Sequence, residues 1–200
     1  TVIRDAEVAV QKQHPEFSIR DLDYDDPDTY KMLGQGDTEG VFQLESSGMK
    51  QVLVGLQPQN LEDVIALISL YRPGPMDSIP TYLRNRHEPD KISYKTPQLA
   101  HILDVTNGCI VYQEQVMQIF RELAGFSFGQ ADNVRRAMSK KKHAVMEAER
   151  EHFVHGCTEP GHECPGCVAN GIPEQVANQI YDEMSSFASY AFNKSHAACY

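Results

Sequence analysis

The sequence has no apolar run as long as a membrane span, no signal peptide, no internal repeat and no low-complexity segment. We therefore predict no membrane-spanning helix. Positive charge is also scarce, because 18 lysines and arginines stand against 28 aspartates and glutamates and give a net charge of −10. This balance excludes a general affinity for polyanions, so any anion site must be local. The 200 residues, of which 41% are hydrophobic, are enough for one or two cores.

The two ends predict that the sequence is a piece of a larger protein. It opens at Thr1 without an initiator methionine, in a segment whose apolar residues recur at helical spacing. It stops at Tyr200, where the pattern predicts the first turns of a helix and offers no stop signal.

One run of basic residues stands out against the acidic background. Its members are Arg135, Arg136, Lys140, Lys141 and Lys142. Without these five charges the net charge of the chain would be −15, that is, −10 minus 5. On a helix, Arg136 and Lys140 fall on one side, and Arg135 and Lys142 on another. This spacing suits a row of phosphates, and a solvated helix face is the alternative interpretation.

Hydrophobic periodicity predicts a mainly α chain with a few short β-strands. The predicted helices cover residues 1–13, 61–71, 113–124, about 129–140, 142–154 and 173–190. Residues 14–36 are expected to form a polar connection, and short strands are predicted at 40–44 and 109–112. Asn60 is the predicted N-cap of the second helix, and Gly125 is the predicted end of the third.

Two further places could meet an anion. Asn193 or Ser195 can cap a helix beside Lys194 and His196, and the unpaired N–H groups of a helix start attract phosphate. An ordinary capped helix is the alternative there. Arg72 follows a buried helix at a rigid proline-rich turn, where an arginine is more often a structural hydrogen-bond donor than a ligand.

The alternating aspartates between Asp21 and Asp26 resemble the carboxylates of a two-metal phosphoryl-transfer site. Catalytic carboxylates are normally held on rigid, partly apolar elements, whereas this run is flanked by Pro27 and polar residues. We therefore interpret it as a solvated acidic linker.

Three of the five cysteines lie in one loop rich in glycine and proline. Cys164 and Cys167 have the spacing of a zinc knuckle, and Cys157 with His162 or His155 would complete four ligands. A surface loop with free thiols is the alternative interpretation. Nothing in the sequence favours the oxidising compartment that a disulfide would need.

Five segments, in this order and approximate spacing, resemble the fingers region of the alpha subunit of bacterial DNA polymerase III, the C family of DNA polymerases. They are Gly40–Ser46, Tyr71–Pro75, Val111–Met117, Arg135–Lys142 and Phe192–Ala198. The resemblance runs from about residue 36 to the end and is closer to the alpha subunits of Gram-positive-type bacteria. It implies a helical fingers domain over 36–200, truncated at its C-terminal end, after a helix and polar connection at 1–35 that follow the palm.

The resemblance implies a DNA-directed DNA polymerase, a cytoplasmic nucleotidyltransferase whose fingers bind the incoming dNTP and primer-template DNA. Its Mg²⁺ ions are held by palm aspartates that lie outside this sequence, so the fragment alone is expected to be inactive. The sliding clamp and other replicase subunits would bind through other regions, and no membrane is involved.

The resemblance also implies residue roles. Arg135 and Arg136 would neutralise the triphosphate, with Lys140 nearby and Lys141 and Lys142 reaching template or primer phosphate. The residues implied to line or support the nucleotide pocket are Lys194, His196, Arg72, Tyr112 and Gln113.

The cysteine loop at 155–167 departs from the family pattern. A zinc ion held there by Cys157, His162, Cys164 and Cys167 would be a local structural feature outside catalysis. A different class of function is a non-enzymatic helical module, stapled by zinc, that binds nucleic acid or a protein partner. That alternative explains the basic helix and the cysteines but not the order of the five segments.

Overall fold

The computed structural model describes residues 2–140, 143–187 and 190–200, and within them the chain is mainly helical, as predicted. The α-helices are α1 (Val2–Gln11), α2 (Pro27–Gly34), α3 (Ser47–Leu56), α4 (Leu61–Leu70), α5 (Ile79–His87), α6 (Ala100–Leu103), α7 (Gln113–Ala124), α8 (Phe128–Ser139), α9 (His143–His155), α10 (Gly166–Ala169), α11 (Glu174–Phe187) and α12 (Lys194–Ala198). In this described part, no helix has the length and apolar character needed to cross a membrane.

The predicted ends of two helices are confirmed by their hydrogen bonds and dihedral angles. The Asn60 side chain accepts a hydrogen bond from the backbone N–H of Asp63 at 2.9 Å and so caps α4. Gly125 ends α7 with a left-handed φ of 75°, which a residue with a Cβ adopts only with strain. The local chemistry of the sequence therefore fixes these boundaries.

The strand predicted at residues 40–44 is not formed. Gly40 and Gln43 have positive φ values of 77° and 69°, which break an extended conformation. The buried Thr38 hydroxyl donates to the backbone carbonyl of Leu44 at 2.6 Å and closes the segment into a compact turn. Alternation of apolar residues here reflects turn packing instead of a β-ladder.

The strand predicted at 109–112 is reduced to one parallel bridge between Tyr112 and Phe192. The reason lies in Gln115, whose side-chain oxygen accepts the N–H groups of Val111 and Tyr112 at 2.8 and 2.9 Å. These donors are thereby removed from any further ladder. The Gln115 side chain instead fixes the entry into α7.

The polar connection predicted at 14–36 contains helix α2, so that prediction was wrong in part. The Asp26 carboxylate accepts hydrogen bonds from the backbone N–H groups of Asp28 and Thr29, and Pro27 occupies the first turn. Tyr30 and Leu33 are buried and give the short helix its packing face.

The helices pack around two hydrophobic clusters. The first is formed mainly by α2 to α5 with Ala197 of α12, and the second by α6 to α11. Residues 109–112 pass between them, because Cys109 and Val111 belong to the first cluster and Ile110 belongs to the second. The segment at this junction leads directly into α7, and residues 190–193 run beside it.

Candidate functional site

Backbone hydrogen bonds join the start of α7 to the segment that leads into α12. The N–H of Phe192 donates to the carbonyl of Val111 at 3.1 Å, and the N–H of Gln113 donates to the carbonyl of Phe192 at 2.9 Å. The Gln113 side chain adds a bond from its amide nitrogen to the carbonyl of Ala191 at 2.9 Å. Two segments that are about 80 residues apart in the sequence are thus held together at the junction of the two clusters.

The two arginines of α8 share one carboxylate, that of Asp132. Its Oδ1 accepts from Nε and Nη2 of Arg135 at 3.1 and 2.6 Å, and its Oδ2 lies 2.7 Å from Nη2 of Arg136. The hydrogen bond from Arg135 is the main cause that lowers the pKa of Asp132. The carboxylate is therefore charged near neutral pH and offsets part of the arginine charge.

Arg135 also reaches the junction described above. Its Nη1 donates to the side-chain oxygen of Gln113 at 3.1 Å, while the amide nitrogen of Gln113 is bonded to Ala191. Gln113 therefore contacts both the basic helix α8 and the segment before α12. The structure brings these two sequence-predicted regions together through this one amide.

The outer face of α8 is basic and open to solvent. The side chain of Arg136 is 64% exposed, against 18% for Arg135. Arg136, Lys140 and Asn133 line a surface depression of about 260 Å³. The predicted pairing of Arg136 and Lys140 on one side is thus observed, while Lys141 and Lys142 lie outside the described residues.

Acidic side chains from other helices contact the start of α12. Asn193 caps the helix by accepting from the N–H of His196 at 2.9 Å. The Glu114 carboxylate accepts from the side-chain amide of Asn193 at 2.9 Å and from the N–H of Lys194 at 3.3 Å. Lys194 itself points its ammonium group to Glu62 at 2.9 Å. The place predicted for a phosphate is therefore a capped helix start that already contacts a carboxylate.

Arg72 and His196 line a cleft of about 450 Å³. The Arg72 guanidinium stacks on the ring of Phe192 at 4.2 Å and donates to the carbonyl of Tyr190 at 2.7 Å. Burial lowers the pKa of Arg72. His196 packs between the rings of Phe192 and Tyr200, at 5.3 and 5.1 Å between centroids. The cleft wall is therefore a stack of flat groups with a cation at one end.

Tyr112 is buried, with 1% of its surface exposed, and burial raises its pKa. The ammonium group of Lys194 lies 5.5 Å from the centre of its ring. The Tyr112 ring can thus stabilise the neighbouring lysine, but it is too buried to contact a ligand directly.

Sequence reasoning missed three acidic residues of this region: Asp132, Glu62 and Glu114. Asp132 stands three and four residues before the arginines, so the helical spacing of ion pairs was a usable signal for it. Glu62 and Glu114 are far from Lys194 in the sequence, and no local pattern points to them.

The cysteine loop is compact, and its three thiols are buried. Cys157 and Cys164 exchange two backbone hydrogen bonds of 2.9 Å, and the N–H of Glu159 points to the sulfur of Cys157 at 3.4 Å. Burial raises the pKa of Cys164, and raises that of Cys167 to about 12. His162, the predicted fourth ligand, is exposed.

The other candidate histidine, His155, faces Glu151 and Glu174 at 4.0 and 3.8 Å. Across residues 2–140, 143–187 and 190–200, no group of three or more His, Cys, Asp or Glu side chains is arranged to hold a metal ion. The zinc site remains a prediction, and its ligands would have to move to form it.

Comparison with known proteins identifies the family. Residues 1–161 match the family described as the bacterial DNA polymerase III alpha subunit finger domain. The chain is 48% identical over 184 residues to the DNA polymerase III subunit alpha of Staphylococcus aureus (strain Mu50), and equally to that of Staphylococcus epidermidis. Each match covers 92% of this chain and 16% of the relative, so the chain spans about one sixth of these proteins. The chain belongs to the family of bacterial DNA polymerase III alpha subunit finger domains.

Proposed function

We propose that this chain is the part of a replicative DNA-directed DNA polymerase that binds the incoming dNTP and the primer-template DNA during nucleotidyl transfer. The observation that carries the proposal is the arginine pair of α8, whose inner member shares Gln113 with the segment leading into α12. Family membership supports the reaction class, and this shared contact supports a single nucleotide site at the junction.

In nucleotidyl transfer the primer 3′-hydroxyl attacks the α-phosphorus of the dNTP. A new P–O bond forms, the bond to pyrophosphate breaks, and negative charge grows on the leaving pyrophosphate. Cationic side chains held beside that group stabilise the transition state. Arg136 and Lys140 are exposed side by side on α8 and would supply this charge, with Arg135 behind them.

The residues at and around the start of α12 would contact the same nucleotide. Lys194 and His196 would line the pocket, with Lys194 exchanging Glu62 for a phosphate oxygen. Arg72 would support the wall through its stack on Phe192. Lys141 and Lys142 are proposed to meet template or primer phosphate.

The divalent metal ions of a polymerase would be held by another part of the protein. The aspartates between residues 21 and 26 do not fit such a site, because the Asp26 carboxylate caps α2 and Asp23 accepts from the N–H of Asp25 at 3.0 Å. We therefore expect the 200 residues alone to be inactive in primer extension. Contacts to the sliding clamp and other replicase subunits would also lie elsewhere, in a protein that acts in the cytoplasm.

We further propose that the fingers domain comprises residues 36–200 and that residues 1–35 connect it to the palm. Helix α1 has no buried residue within this chain, which suits a connecting segment whose packing partners belong to the rest of the protein.

The test is steady-state gap filling by the full-length enzyme that carries Arg136→Ala. Loss of one charge-assisted contact to the triphosphate should lower kcat/KM for dNTP by roughly 10- to 150-fold. The matched control is Arg84→Ala, which removes an exposed arginine from α5. Equal kinetics of the Arg136→Ala enzyme and the control with all four nucleotides would overturn the proposal.

A further inference from the structure

The carboxylate of Asp132 makes different contacts with the two arginines. Its Oδ1 accepts from two donors of Arg135, Nε and Nη2, whereas among the described residues its Oδ2 contacts one nitrogen, Nη2 of Arg136. A two-donor fork fixes the guanidinium plane, while a single contact leaves it free to rotate. The same acid therefore holds one arginine firmly and the other loosely.

All three nitrogens of Arg135 are engaged inside the protein. Nε and Nη2 bind Asp132, and Nη1 donates to Gln113, which is bonded in turn to Ala191. The side chain is 18% exposed. Moving its guanidinium onto a ligand would break three hydrogen bonds and the link between α8 and α7.

Arg136 has the opposite character. Within the described part of the chain its one ion pair is the contact of Nη2 with Asp132, and 64% of its side chain is exposed. It shares its surface depression with Lys140 and the amide of Asn133, all on one face of α8. Among the described residues, Nε and Nη1 of Arg136 have no ion-pair partner, so an anion can reach them while the Asp132–Arg135 contacts stay in place.

We propose that Asp132 gives the two arginines different roles. It holds Arg135 as a positioning residue and leaves Arg136 as the one member of the pair that contacts phosphate directly. When a polyphosphate binds, a phosphate oxygen replaces Oδ2 of Asp132 on Arg136, while Oδ1 stays on Arg135. A ligand of high negative charge is attracted to the Arg136 guanidinium more strongly than a monoanion, so it competes better with the Asp132 carboxylate for that contact. This inference rests on the function proposed above and refines it.

The first test measures inhibition of the full-length enzyme by inorganic pyrophosphate. Asp132→Asn removes the competing charge and keeps an oxygen that can accept from Arg135, so the inhibition constant should fall by about threefold to tenfold. A purely structural role for Asp132 would weaken pyrophosphate binding instead. The matched control is Asp182→Asn, which alters an aspartate paired with Arg150 at 2.6 Å on other helices and should leave the constant unchanged.

The second test separates the arginines. Arg136→Ala should raise KM for dNTP and leave hydrogen exchange at the junction unchanged. Arg135→Ala should speed exchange of the Gln113 and Phe192 amides and lower kcat, with KM changed by less than about threefold. Arg135→Lys should not restore slow exchange, because a single ammonium group does not reproduce the fork.

The outcomes distinguish this inference from the proposed function. If Arg136→Ala leaves the kinetics unchanged, the proposed function is wrong. If Arg136→Ala raises KM while Asp132→Asn weakens pyrophosphate binding, the function stands and the role given to Asp132 is wrong. If both arginine variants raise KM equally without altering exchange, both arginines contact phosphate and the division between them is wrong.

Discussion

Arg135 and Arg136 of α8 and Lys194 at the start of α12 are all paired with acids, but the acids lie at different distances along the sequence. Arg135 and Arg136 find Asp132 within the same helix, whereas Lys194 finds Glu62 on α4 and its N–H finds Glu114 on α7. The first pairing forms whenever α8 forms. The second exists only after the whole chain has folded.

Helical spacing alone therefore places the charges of α8, whereas tertiary packing positions the charge at the start of α12. The α8 pair needs only helical spacing, so its outer arginine stays exposed and available. The α12 pairs tie the end of the described chain to both hydrophobic clusters, because Glu62 belongs to α4 and Glu114 to α7. Gln113 is a contact that joins the two regions, since it bonds both Arg135 and Ala191.

Removing that contact should have a larger effect than a change at Lys194 or in the cysteine loop. Gln113→Ala deletes the bonds to Arg135 and to Ala191, and one of these is charge-assisted. In the full-length enzyme kcat/KM for dNTP should fall by roughly tenfold or more. The control is Gln118→Ala on the same helix, where the side-chain amide donates to Glu122 at 2.7 Å. Similar kinetics for both variants would show that the two basic regions act separately.

A smaller effect is expected at Lys194, because its ammonium group is already partly satisfied by Glu62. Lys194→Ala should raise KM for dNTP by roughly twofold to fivefold, the range of one partly exposed charge. Glu62→Gln releases the lysine and should lower KM or leave it unchanged. A rise in KM for Glu62→Gln would mean that the ion pair positions Lys194 for its ligand instead of competing with it.

The smallest kinetic effect is expected from the cysteine loop, which lies outside both basic regions. Cys164→Ser should change KM for dNTP by less than about twofold, since the three cysteines belong to the second hydrophobic cluster and none of them lines the cleft at Arg72 or the depression at Arg136. Elemental analysis of untagged full-length protein, matched against this variant, tests the zinc prediction. A zinc ion lost in Cys164→Ser supports it, whereas equal zinc content in both proteins rules out Cys164 as a ligand.

The sequence predicted the long helices because their apolar spacing is regular, as in α7, where Val116, Ile119, Phe120 and Leu123 are buried. It failed at 40–44, since the positive φ of Gln43 has no local signature. It overlooked α2 although Asp26 and Pro27 are ordinary helix-start residues.

For the site, residue type indicated the cations but not their partners. Asp132 was readable from helical spacing, whereas the pairing of Lys194 with Glu62 joins residues 132 positions apart, from 62 to 194. Such a pair depends on how α12 packs against α4, which tertiary structure alone decides. The burial of Tyr112 has the same origin, because its ring is covered by residues from several helices.

The most direct test of a single nucleotide site is mass-spectrometric footprinting of the full-length enzyme on primer-template DNA. Phenylglyoxal modifies arginines and an acetylating reagent modifies lysines, each with and without dNTP. We predict that dNTP slows modification of Arg136 and Lys194 together, with the same half-saturating concentration for both. Protection of one residue without the other, or at clearly different dNTP concentrations, would contradict the single site.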